Sequence, residues 1–212
     1  MRPISCWSRP DAMRAALIWL AVLVLSAVPV VLSLASPLLQ WRDPVYIAAG
    51  ATGVLAMALM PLQPLLATGR LPGLGGFRGR RLHRIIGALL LLCLLLHVAG
   101  LWITSPPDVI DVFLLRSPTP FSTWGLLAMV ALLLSAAITA LRKPLRLRWR
   151  LWRVAHLGLA AVVIGGTVAH ALLIEGTMEP VSKALLSLWL TAAFAGSLAA
   201  PLRHRASARR QG

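Results

Sequence analysis

Four of the five histidines fall into two pairs of equal separation. His83 and His97 lie fourteen residues apart, and so do His156 and His170. Fourteen residues make about 3.9 turns of α-helix, so on a helix both members of a pair face the same way, roughly 21 Å apart along the axis. Each pair sits in an otherwise apolar stretch: His97 follows the run from Ala88 to Leu96, and His170 follows the run from Ala160 to Ala169. Two such helices side by side would offer two facing imidazole pairs stacked through a membrane, the ligand layout of two bis-histidine haems. Haem iron takes one neutral ring nitrogen and leaves the other to find an internal acceptor.

An ionisable side chain inside a membrane is costly and marks a functional site by default. For any one of these histidines the bland alternative is a hydrogen bond to a neighbouring helix. Four at matched spacing on two spans favour iron ligation instead. The context Arg80-Arg81-Leu82-His83-Arg84 also suits a solvated histidine in a basic loop. His204, in the basic tail, reads as solvated and is not a ligand candidate.

The composition calls for a bilayer. Apolar residues make up 58% of the chain and charged residues 13%, too oily for an ordinary soluble domain. Six stretches reach or approach the roughly 20 apolar residues that cross a bilayer. They lie near Ala15–Ala35, Val45–Leu66, Leu82–Ile103, Phe121–Leu141, Leu151–Leu173 and Val181–Leu202. The expected fold is all-α: a polytopic six-helix membrane bundle over 15–202, with a short segment 1–14 before it and a basic tail 203–212 after it. The first span has a basic start and small residues near its end. Its apolar run is longer than that of a cleaved signal peptide, and it is read as a helix.

Charge orients the bundle. Arg2, Arg9 and Arg14 precede the first span, and Arg70, Arg78, Arg80, Arg81 and Arg84 join the second and third. Arg142, Lys143, Arg146, Arg148, Arg150 and Arg153 join the fourth and fifth, and Arg203, Arg205, Arg209 and Arg210 follow the last. The other connections hold only Arg42, Arg116 and Lys183 among acidic residues. The positive-inside rule then puts both termini in the cytoplasm. A net charge of +15 would suggest nucleic acid in a soluble chain. Here it sits at helix ends, facing lipid headgroups, and no nucleic-acid partner is expected. A cytoplasmic protein could dock on the converging basic loops.

With this orientation the third and fifth spans run in the same direction. The inner site is expected between His83 and His156, the outer between His97 and His170. Gly87, Gly100, Gly158, Gly165 and Gly166 could make room for a flat macrocycle or serve ordinary helix packing. Arg84 and Arg153, with Arg80 and Arg81, lie where carboxylates of an inner haem would emerge, which makes Arg84 and Arg153 candidate cofactor-binding residues. Trp102 and Trp124 fit an outer interfacial belt, Trp149 and Trp152 an inner one. Cys6 faces the reducing cytoplasm and Cys93 lies mid-span, so no disulfide is expected between them, and Cys93 reads as a small apolar residue. The segment Gly73–Gly79 lacks the setting of a phosphate-binding loop and is read as a flexible cytoplasmic connection. Ser105–Arg116 is expected to hold a short surface helix that caps the outer site, with Arg116 shaping access.

His83-Arg84-Ile85-Ile86-Gly87 followed by His97, and Trp152-Arg153-Val154-Ala155-His156 followed by His170, resemble the ferric reductase-like transmembrane domain family. That family includes the membrane parts of ferric reductases and NADPH oxidases. The resemblance implies b-type haems, two here, carrying electrons from a cytoplasmic flavin to an acceptor on the far side. Larger members carry flavin- and NAD(P)H-binding domains after the last span, where this sequence has Arg203 to Gly212. Electrons are therefore expected from a separate flavin reductase or from membrane quinol. In size the chain is similar to the haem subunit of the bacterial periplasmic methionine sulfoxide reductase system, which implies a bacterial inner membrane and a periplasmic electron acceptor.

No general base, nucleophile or hydrolytic metal constellation is visible, so no catalytic residue is assigned. Whether the chain is itself an enzyme turns on whether the outer site reduces a small acceptor directly. A haem-free transporter relaying protons through buried histidines is the alternative, and it would be colourless.

Overall fold

The computed structural model describes residues 9–209, with side chains from Pro10 to Ala199. Arg2, Cys6 and Arg210 lie outside the described residues, as do the side chains of Arg9, Arg203, His204, Arg205 and Arg209. The described residues form helices α1 (Arg9–Leu34), α2 (Pro44–Leu59), α3 (Leu62–Ala67), α4 (Gly76–Thr104), α5 (Pro106–Phe113), α6 (Pro120–Ala140), α7 (Trp149–Leu173) and α8 (Pro180–Arg209). Proline opens α2, α5, α6 and α8, where its missing N–H costs nothing and its fixed φ suits the first turn. Asp43 caps α2, its Oδ1 accepting from the N–H groups of Val45 and Tyr46.

Among the described residues, six helical segments are long and apolar enough to cross a membrane: Pro10–Leu34, Pro44–Ala67, Gly76–Thr104, Pro120–Ala140, Trp149–Leu173 and Pro180–Ala199. The chain is an all-helical integral membrane protein. Leu23, Leu95, Val154 and Leu188 point outward, the apolar surface that lipid rather than water would cover.

Three features depart from the sequence reading. The second span is not one helix: it breaks after Leu59, where Pro61 and Pro64 withhold backbone donors, and resumes as α3. Helix α4 begins at Gly76, so half of the glycine-rich segment is helical; His83, expected in the third span, stands two turns inside α4. Lys183 is not a loop charge. It is 8% exposed on α8 and its Nζ donates to the Ile174 carbonyl at the end of α7. The short surface helix expected after Ser105 is present as α5.

Helix α4 packs mainly on α2, and α7 mainly on α6. Between α4 and α7 themselves there is at most marginal contact. Helix α8 closes the bundle against α1, α2, α3 and α7, with Leu186 and Leu190 fully buried. Its Trp189 donates to the Ser26 hydroxyl on α1 at 3.3 Å. The bundle thus consists of two tight helix pairs, each carrying two of the four histidines, braced from outside.

Candidate haem site

All four histidines of the two pairs are part-buried, and all four engage Nδ1 with a neighbouring helix. His97 Nδ1 lies 2.7 Å from the Ala49 carbonyl of α2. His170 Nδ1 lies 2.9 Å from the Phe121 carbonyl of α6. His83 Nδ1 lies 3.1 Å from the Gln63 carbonyl of α3, and His156 Nδ1 lies 2.8 Å from the Ser135 hydroxyl of α6. Among the described residues no hydrogen bond reaches any of the four Nε2 atoms.

A carbonyl can only accept, so it requires the proton on Nδ1 and leaves Nε2 with its lone pair. His97 and His170 are held in this way by backbone alone. The inner pair faces more versatile partners. The Ser135 hydroxyl can donate as well as accept. The Gln63 side-chain amide, turned with its nitrogen toward His83, comes to 2.6 Å from Nδ1 and places its oxygen 2.9 Å from the Gly87 N–H.

The two outer anchors are built alike. A carbonyl in a helix already accepts from the N–H four residues on, and the side chain of that residue leans back over it. At both outer anchors that residue is glycine: Gly53 follows Ala49 by four, and Gly125 follows Phe121 by four. A methyl group on Gly53 would stand 2.9 Å from His97 Nδ1, and one on Gly125 would stand 2.7 Å from His170 Nδ1. Glycine therefore both uncovers the carbonyl and admits the ring. The Phe121 ring meets that of His170 edge-on, with centroids 5.8 Å apart. Sequence reasoning missed Gly53 and Gly125 because it considered only glycines on the ligand helices. The signal was present: each stands 44 or 45 residues before its histidine, in the preceding long span.

The glycines that were singled out divide by role. Gly100 packs against Ala49, and Gly166 against the Trp124 carbonyl and Ala128, so both serve helix contact. Gly158 and Gly165 are exposed with nothing within 4 Å of an added methyl. They lie about 180–200° around α7 from His156, away from the histidine face. Gly87, Gly100 and Gly166 lie within one turn of His83, His97 and His170 and share their faces.

The structure brings the inner pair together. The rings of His83 and His156 approach to 6.3 Å between centroids, inclined at 70°. One turn before His156, Trp152 stacks on its ring at 5.2 Å and 14°. Trp152 stacks in turn on Trp149 at 4.9 Å, and the Arg142 guanidinium lies 4.7 and 4.8 Å from the centres of the two indoles. Trp152 therefore faces the site and is not simply an interfacial anchor, whereas Trp102, Trp124 and Trp149 remain about half exposed. Arg80, Arg81, Arg84 and Arg153 are exposed. Arg153 lines a shallow groove on α7 with Trp149, Arg150, Val154 and Leu157.

Among the described residues, no three histidine, cysteine, aspartate or glutamate side chains converge as a bare-metal site. His83 and His156 stand as two imidazoles at close range, the number a metal already held by a four-nitrogen macrocycle still needs. No curated protein and no solved structure matches the chain. The family described as ferric reductase like transmembrane component matches residues 52–167, more than half of the 212 residues, and takes in His83, His97 and His156 together with Gly53 and Gly125. The chain belongs to this ferric reductase-like transmembrane family.

Proposed function

We propose that the chain is a transmembrane electron conduit that holds two b-type haems, the inner between His83 and His156 and the outer between His97 and His170. Membership of the family supports a membrane redox subunit. The observation that carries the finer reading is the common state of the four imidazoles: Nδ1 tied to a neighbouring helix, Nε2 free, on two helices that hardly touch. Residues so arranged fit the group. The His83 and His156 rings, whose centres stand 6.3 Å apart, would both hold the iron of the inner haem.

In this reading Ala49 and Phe121 fix the outer imidazoles and Gln63 that of His83, while Ser135 bonds His156 without setting its plane. Such partners orient a ligand and raise its basicity. Arg84, adjacent to His83, and Arg153, three residues before His156, are placed to neutralise carboxylates emerging at the cytoplasmic end. Haem bound at the two sites supplies one-electron redox chemistry in two steps across the bilayer. In this reading both termini face the cytoplasm, as the basic connections favour, and the membrane is a bacterial inner membrane. A flavin reductase or membrane quinol delivers electrons from that side, and an exterior or periplasmic acceptor takes them at the other, near α5 and Arg116.

Vesicles reconstituted with the protein and loaded with ferricyanide test the reading. On adding dithionite outside, trapped ferricyanide should be reduced several-fold faster than in empty vesicles, and His97→Ala should abolish the gain. Reduction at the rate of empty vesicles would overturn it.

A further inference from the structure

His156 is the only one of the four histidines whose Nδ1 meets no backbone carbonyl. Its partner is the Ser135 hydroxyl, which rotates and can give or take a proton. A backbone carbonyl fixes both the tautomer and the plane of a ring; a hydroxyl fixes neither. Yet His156 has a second neighbour that the other three lack. Trp152, one turn earlier on α7, covers the face of the ring in a nearly parallel stack at 5.2 Å and 14°. That indole also stacks on Trp149, and the Arg142 guanidinium, from the connection before α7, lies over both indoles.

We propose that Trp152 is the positioning residue of the inner site, setting the plane of the His156 ring in place of the carbonyl that the other histidines use. The proposal rests on the two-haem reading above. The contribution comes from the indole face and not from its N–H. Nε1 is buried and has no hydrogen-bond partner, so its polarity is a cost at this position, and what remains is a flat surface against which the imidazole lies. Arg142 acts at one remove: by lying over both indoles it holds the stack at the end of α7.

Two variants separate face from N–H. Trp152→Phe keeps an aromatic face and drops the N–H. Trp152→Leu keeps apolar bulk and drops the face. Both would be purified in detergent and compared with wild type by haem-to-protein ratio and by the low-spin ferric signals in electron paramagnetic resonance. The expected result is two haems per chain with little-changed signals for Trp152→Phe. For Trp152→Leu, one low-spin signal should shift or vanish, with haem falling from two toward one per chain, while the other signal stays in place. Unchanged signals in Trp152→Leu would overturn the proposal. So would a Trp152→Phe protein as damaged as Trp152→Leu, since the N–H would then be the working part. Wild type without haem would instead overturn the reading on which the proposal rests.

Discussion

Gly53 lies so close to His97 that a methyl group in place of its hydrogen would stand 2.9 Å from Nδ1. The same relation, at 2.7 Å, joins Gly125 to His170. In each case the imidazole reaches past the glycine to the carbonyl of the preceding turn, and the histidine and its anchor come from different helices. The packing of α4 on α2 and of α7 on α6 thus positions the two imidazoles proposed for the outer site.

Gly53→Ala and Gly125→Ala should each disturb the outer site alone. Alanine gains about 1 kcal/mol over glycine in a helix, but forcing a methyl into a filled position costs about 1–3 kcal/mol. The expected outcome is loss or spectral change of one haem with the other retained, read from the Soret band and the haem-to-protein ratio. Gly158→Ala, where nothing lies within 4 Å, serves as the contrast and should leave both haems intact.

Much of the fold was legible because a bilayer imposes one strong rule: about 20 apolar residues per crossing. The spans from Phe121, Leu151 and Val181 were found within a few residues of their helices. The ligand candidates were legible for a related reason, since an imidazole in a leucine-rich helix has no local partner. Their anchors were not legible. The acceptors at Ala49, Phe121 and Gln63 are backbone carbonyls, a group every residue carries, and which one is uncovered depends on tertiary packing. The break was foreshadowed by Pro61 and Pro64, but the segment as a whole is apolar enough to pass as one span. Trp152 looked like a belt residue because a tryptophan near a helix end has that default role; only the fold turns it toward His156.

Ser135→Ala should act on the inner site. Removing the hydroxyl takes away the partner of His156 Nδ1 and a hydrogen bond worth about 0.5–1.5 kcal/mol. One haem should shift its midpoint potential in a redox titration while the other titrates as before. Ser135→Thr, which keeps a hydroxyl, should behave as wild type. Shifts of both haems together would assign Ser135 a general structural role.

Lys183 ties α8 to the end of the helix that carries His170, through its bond to the Ile174 carbonyl. A cation at a helix C-terminus contributes up to about 2 kcal/mol when partly buried. Lys183→Met, which keeps the apolar stem, should lower the thermal midpoint in detergent without changing the haem-to-protein ratio at low temperature. An unchanged midpoint would leave the contact without energetic weight.

The distribution of arginine makes orientation testable without any cofactor. Fluorescent-protein fusions at either terminus should fluoresce in a bacterial host, and alkaline phosphatase fusions there should be inactive. A cysteine introduced in place of Ser117, just beyond α5, should react with an impermeant thiol reagent added to intact spheroplasts. The reverse pattern would invert the bundle and exchange the inner and outer sites.

Counting haem in purified protein bears most directly on the four imidazoles. Wild type, expressed in haem-replete cells, should carry two b-type haems per chain. Substituting His83 or His156 should remove the same one, and substituting His97 or His170 the other. A folded, monodisperse protein without haem, or one whose haem survives all four substitutions, would contradict the assignment.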